Sequence, residues 1–103
     1  MSEIKELTAA NFNDATSTGT WLVDFWATWC GPCRMQGRII DENLEALNNA
    51  GLQIGKVNVD DQTGLAMRFK VLSIPTLLII KNGQLVKQFV GVQQLGTLLE
   101  AAK

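Results

Sequence analysis

Trp21-Leu22-Val23-Asp24-Phe25-Trp26-Ala27 is apolar at every position but Asp24, and this run constrains the fold more than any other part of the chain. A strand with one wet face alternates apolar and polar residues. A run that does not alternate suits a central strand covered on both faces. The run leads within three residues into Cys30-Gly31-Pro32-Cys33, which holds both cysteines of the chain.

The rest of the sequence supplies partners for such a strand. Ile4–Leu7, Leu52–Val59, Thr76–Ile80 and Leu85–Val90 read as further strands. Lys81-Asn82-Gly83-Gln84 lies between the last two, and Asn-Gly between apolar runs is a strong hairpin signal. Helices are predicted from Thr8, as a capping residue, to about Ala15 with Phe12 turned inward, and over Gln62–Phe69 and Gln93–Ala102. A long helix is predicted from Cys33 to about Asn49, with Met35, Ile39, Leu44 and Leu47 facing the core and Ala50-Gly51 ending it. The last helix opens with Gln93-Gln94-Leu95-Gly96, which lacks a good cap, so its start is expected to fray. No linker, repeat or low-complexity tract interrupts the 103 residues, so residues 1–103 are read as a single α/β domain, a mixed sheet sandwiched by helices.

The cysteine spacing carries chemistry. Side chains at i and i+3 of a helix stand roughly 5–6 Å apart at Cβ, and a disulfide needs about 3.5–4.5 Å. The pair can close where the helix is relaxed, in its first turn. A ring enclosing only Gly31 and Pro32 constrains the unfolded chain little, which points to a bond that is made and broken. The free N–H groups and dipole of a helix N-terminus stabilise a thiolate, so Cys30 is assigned as the nucleophile. Cys33, deeper in the turn, is assigned as the residue that resolves the mixed disulfide. Gly31 leaves room for a partner, and Pro32 presets a helical φ where its missing N–H costs little. Arg34 reads as a solvated surface residue. Structural zinc usually takes four Cys or His ligands, and two Cys with no His supply half of such a set. A metal or iron–sulfur site would need two copies of the chain, so no metal is expected.

Other classes find little support. A net charge of −1 without a basic run gives no footprint for nucleic acid or an anionic membrane. The apolar runs are too short to span a bilayer. The charged N-terminal segment Met1–Leu7 has no apolar core of the signal-peptide kind, and both cysteines fall in one tetrapeptide, so a reducing cytoplasm is expected. An apolar share of 47% argues against wholesale disorder.

Asp24 and Pro75 leave alternatives open. Asp24 reads either as a solvated residue at a strand edge or as a buried acid of raised pKa that exchanges a proton with Cys33. Lys56 is its natural counter-charge if both point inward. Pro75 directly precedes an apolar strand; a cis bond would hold a tight turn there, yet only about 5–6% of X–Pro bonds in folded proteins are cis, so residue physics alone favours trans.

Val23-Asp24-Phe25-Trp26-Ala27-Thr28-Trp29-Cys30-Gly31-Pro32-Cys33-Arg34-Met35 resembles the active-site segment of the thioredoxins, whose signature is Trp-Cys-Gly-Pro-Cys. Lys56-Val57-Asn58-Val59-Asp60 resembles that family's third strand, Ile74-Pro75-Thr76-Leu77 its cis-proline loop, Lys81-Asn82-Gly83 its late hairpin and Val90-Gly91 its approach to the last helix. The resemblance covers nearly the whole chain. It implies a thioredoxin fold, a central mixed five-stranded sheet flanked by four helices. It implies a thiol–disulfide oxidoreductase that reduces client-protein disulfides, with no cofactor of its own. The implied partners are disulfide-containing clients and a flavin-containing, NADPH-using thioredoxin reductase, and the implied state is a monomer. Pro75 is then expected to be cis, Asp24 to be the buried acid with Lys56 as its partner, and Trp26 to pack beneath the site. Trp29, Gly31, Pro32, Ile74, Pro75, Gly91 and Val92 would form the client-contact surface, with the Ile74 backbone pairing with an extended client segment. Gly-Pro between the cysteines is similar to the reducing members of the superfamily. Two positions depart from the pattern: Arg38 stands where thioredoxins carry a proline that kinks the long helix, and Gly37 replaces the usual alanine.

Overall fold

The computed structural model describes residues 3–103. Five strands form one sheet: β1 (Ile4–Glu6), β2 (Thr20–Trp26), β3 (Leu52–Asn58), β4 (Thr76–Lys81) and β5 (Gln84–Val90), in the order β1-β3-β2-β4-β5. β2 stands in the middle of the sheet, parallel to β3 and antiparallel to β4. Its non-alternating composition follows from that place, because Trp21, Val23 and Phe25 enter one core and Leu22 enters the other. β1 pairs parallel to β3, and β5 pairs antiparallel to β4 across a turn in which Asn82 (φ 50°) and Gly83 (φ 84°) both take left-handed backbone.

The helices are α1 (Phe12–Thr16), α2 (Gly31–Glu42), α3 (Leu44–Asn49), α4 (Thr63–Arg68) and α5 (Leu95–Ala101). Five helices stand where four are expected, because the long helix divides at Asn43. That residue leaves helical geometry (φ −122°, ψ 22°), its N–H turns back to the Ile40 carbonyl at 3.2 Å, and its side-chain amide donates to the Ile39 carbonyl at 2.8 Å. An Asn side chain that bonds nearby backbone competes with the helix ladder. The helix also begins at Gly31, two residues earlier than predicted, with Cys30 as its N-cap.

The inner stripe of α2 differs from the prediction. Cys33, Gln36, Gly37 and Ile40 are buried, Ile39 is only partly so, and Met35 is 55% exposed. Helical period allows either stripe to carry apolar residues; packing the cysteines inward rotates Met35 out. Leu47 of α3 is fully buried and Leu44 packs at the margin of the same core.

The first helix starts later than Thr8. The Thr8 carbonyl accepts from Phe12 and its hydroxyl from Ala10, which makes a turn before α1. The last helix starts at Leu95 with no side-chain cap on it, two residues after Gln93. Gly55 of β3 is required by a close approach: a Cβ there would lie 2.9 Å from Leu7 Cγ and 3.5 Å from Trp21. Among the described residues no helix is long and apolar enough to cross a membrane.

Candidate active site at the head of the second helix

The end of β2 delivers Ala27 and Trp26 to the underside of a small cluster with Cys30 and Cys33, against which Val59 and Ile74 pack. Cys30 and Cys33 are joined as a disulfide with Cα atoms 5.2 Å apart. Cys30 has extended backbone (φ −97°, ψ 111°), the geometry of an N-cap, and its Sγ accepts the Cys33 N–H at 3.2 Å. A sulfur in that position faces the unpaired N–H groups of the first turn. Any negative charge that develops on it on reduction is therefore stabilised. Both cysteines are nearly buried, Cys30 at 5% and Cys33 at 3% exposure. Gly31 and Pro32 occupy the first two helical positions and are exposed.

Three backbone segments meet at this turn. The Ile74–Pro75 bond is cis, in agreement with the resemblance and against the bare X–Pro frequency. The Ile74 carbonyl oxygen lies 3.8 Å from Cys30 Sγ, and the Pro75 carbonyl accepts the Gly91 N–H at 2.8 Å. Gly91 has φ +94°, which glycine alone adopts freely. Ile74, Gly91 and Val92 are half-buried, and Pro75 is buried. Trp29 is 68% exposed, yet its indole N–H donates to Asp60 Oδ2 at 2.9 Å, so a large apolar ring is held beside Cys30 in a fixed orientation. Arg34 is exposed and its guanidinium donates to the Thr28 carbonyl at 3.1 Å, so it braces the turn through the backbone.

Asp24 is fully buried, and neither carboxylate oxygen has a hydrogen-bond partner among the described residues. Burial pushes its pKa from 3.8 up to about 7; the Lys56 charge opposes that rise and the Asp41 charge adds to it. Asp24 and Lys56 are partners in the β2–β3 register, but the Lys56 ammonium stands 4.8 Å over the Trp26 ring rather than on the carboxylate. The lysine thus acts on Asp24 through its field. Lys56 and Cys33 line one cleft of about 410 Å³ together with Trp26, Gly37, Arg38 and Asp41. The missing side chain of Gly37 helps to open it, since a Cβ there would sit 3.5 Å from Lys56 Nζ.

Two residues at the site escaped the sequence reading. Asp60 ends the segment Lys56-Val57-Asn58-Val59-Asp60, but nothing in the sequence ties it to an indole thirty-one positions away. Gln36 is fully buried, and its amide donates to the Gln93 carbonyl at 3.0 Å and accepts the Gln93 N–H at 2.6 Å. Its spacing, three residues after Cys33 and four before Ile40 on one helix stripe, is the one sequence signal that points to it.

Comparison with known proteins agrees with this geometry. The family model described as Thioredoxin matches residues 3–103. A thioredoxin of Listeria monocytogenes is 48% identical over 88 residues, 85% of this chain and 84% of the relative. One from Staphylococcus saprophyticus is 42% identical over 97 residues, 94% of this chain and 92% of the relative. Among solved structures, that of the thioredoxin of Malassezia sympodialis superposes with a TM-score of 0.88 at 29% identity, covering 99% of this chain and 90% of the other.

Proposed function

Since this chain belongs to the thioredoxin family, whose members are disulfide oxidoreductases, we propose that it reduces disulfides of client proteins with Cys30 as nucleophile and Cys33 as resolving thiol. The observation that carries the assignment is the N-cap position of Cys30, whose sulfur accepts the Cys33 N–H at 3.2 Å. In the reduced protein the Cys30 thiolate attacks one sulfur of the client disulfide. That bond breaks, the other client sulfur leaves as a thiolate, and a mixed disulfide to Cys30 forms. Cys33 then loses its proton and attacks Cys30 Sγ, which closes the Cys30–Cys33 bond and releases the second client thiolate. The two electrons come from the dithiol.

Asp24 is proposed as the acceptor of the Cys33 proton. Its pKa near 7 suits the exchange, because a group poised near the working pH can both take and return a proton. Lys56 is proposed as the charge that keeps this pKa from rising further. Trp29, Gly31, Pro32, Ile74, Pro75, Gly91 and Val92 are proposed to contact the client, with the Ile74 backbone pairing with an extended client segment. In support, Trp29 is exposed and braced, and Gly91 is tied to the cis-proline loop. The partners proposed are disulfide-containing proteins and an NADPH-dependent thioredoxin reductase. The protein is proposed to work as a cytoplasmic monomer, folding as one unit over residues 1–103.

Trapping tests the assignment. Incubated with a disulfide-containing protein, the Cys33→Ser variant should accumulate a mixed disulfide at Cys30, read by intact mass. Cys30→Ser should accumulate none. Trapping at Cys33 instead would reverse the two roles. The reduction potential tests the direction: thioredoxins lie near roughly −270 mV and isomerases near roughly −180 mV, so a value at the upper figure would make the protein an oxidant or isomerase.

A further inference from the structure

We infer that Gln36 is a positioning residue that fixes the Gly91–Gln93 segment against the helix carrying the cysteines, and so sets how well a protein disulfide, as opposed to a small one, is received at Cys30. The inference rests on the client-reduction reading above and extends it to a residue outside the cysteine turn.

The Gly91–Gln93 segment is irregular and reaches α5 without a side-chain cap. It is held at two ends. At Gly91 its N–H donates to the Pro75 carbonyl at 2.8 Å, which ties it to the loop beside Cys30. At Gln93 both backbone groups are taken by one side chain, the Gln36 amide, at 2.6 and 3.0 Å. Val92 lies between the two anchors and is half-buried. Its place is therefore fixed relative to the Pro75 loop on one side and to α2 on the other. A third bond, from the Gln93 side chain to the Gly91 carbonyl at 3.1 Å, stiffens the span.

Only a side chain with a donor and an acceptor at one tip can satisfy an N–H and a C=O of the same residue, and the Gln amide does so. Gln36 itself is fully buried, so its polar tip is compensated there and nowhere else among the hydrogen bonds it makes. Replacing it by an apolar side chain of similar size leaves the Gln93 N–H and C=O to seek water, and the segment must move outward to find it. The Cys30–Cys33 turn has its own anchors, the Cys33 N–H on Cys30 Sγ and Arg34 on Thr28, and keeps them. A small disulfide needs only the sulfur. A protein client also meets the wall on which Val92 stands.

The test is Gln36→Met, assayed in the reduced form by single-turnover rates against insulin and against a small aromatic disulfide, dithiobis-nitrobenzoate. The rate with insulin should fall about five-fold, the scale of one neutral hydrogen bond's net contribution, while the small disulfide is reduced at the wild-type rate. The equilibrium of the Cys30–Cys33 couple with glutathione should not move. Parallel loss on both substrates, a shifted equilibrium, or no loss on either would overturn the inference. Should the variant fail to fold, hydrogen exchange on the wild-type protein decides: the Gln93 amide must be protected despite its irregular segment, and exchange at the open-chain rate refutes the anchor. A wild-type protein that does not reduce insulin at all would instead refute the client-reduction reading, whatever Gln93 does.

Discussion

Asp24 holds its proton to a pH at which an ordinary carboxylic acid has long lost it. The unfolded chain releases that proton near pH 3.8 and the folded one near 7, so between these values the folded state binds more protons than the unfolded state. Stability then declines as pH rises: the burial cost is absent below the lower value and fully present above the upper one. The gap corresponds to about 4 kcal/mol. Asp24→Asn removes the charge but keeps a buried polar group, so it should be more stable than the wild type at pH 8 by about 1–3 kcal/mol. That advantage should vanish near pH 4. Urea unfolding at the two pH values reads both, and an equal difference at each would mean that Asp24 does not titrate as its burial requires. Lys56→Met should raise the Asp24 pKa further, since the lysine charge is what opposes the rise.

At the scale of elements, α2 carries the site, and its glycine and its end explain its shape. Gly37 lies in a buried turn of regular helix with ordinary van der Waals space for a methyl group, 3.5 Å from Lys56 Nζ. Gly37→Ala should therefore stabilise the protein by about 0.5–1 kcal/mol, seen as a raised melting temperature. Gly91→Ala has open space too, but at φ +94° the backbone itself resists a side chain, and a loss of about 1–2 kcal/mol is expected. Opposite signs from two glycines with room for a methyl group would separate backbone strain from crowding; equal signs would show that the left-handed backbone at Gly91 is not what matters. The departure at Arg38 leaves the helix regular at that point, because an exposed arginine continues the ladder that a proline would interrupt. The interruption comes later, at Asn43. That break was not legible in the sequence: Asn43 sits in a run of helix-compatible residues, and its side-chain bond to Ile39 becomes decisive only when Ile40 and Leu47 must both reach the same core.

At the scale of the whole molecule the cysteine bond adds chemistry more than strength. It closes a ring of four residues in a small cluster with Ala27, separate from the core that includes Leu22, Ile40, Leu47, Leu77 and Leu98, all nearly or fully buried. The double variant Cys30→Ser/Cys33→Ser should lose disulfide reduction entirely, but no more than about 2 kcal/mol of stability relative to the oxidised protein. It should still unfold in one cooperative transition by urea with two probes; separate transitions would divide the chain into independent units. Much of this architecture was legible. The non-alternating run Trp21–Ala27 predicted a strand covered on both faces, and β2 is the middle strand of five. Lys81-Asn82-Gly83-Gln84 predicted the hairpin, and Cys30-Gly31-Pro32-Cys33 after a strand predicted a helix N-terminus with a reactive pair. These are local matters: backbone preference, hydrophobic period and a spacing of three residues are written in consecutive letters. Tertiary structure decided the rest. The burial of Asp24, the cis bond before Pro75, the turning of Met35 to solvent, the bond from Trp29 to Asp60 and the grip of Gln36 on Gln93 depend on which distant segments meet. A polar side chain has no fixed worth until its surroundings set how much water it has lost and which partner, if any, replaces that water.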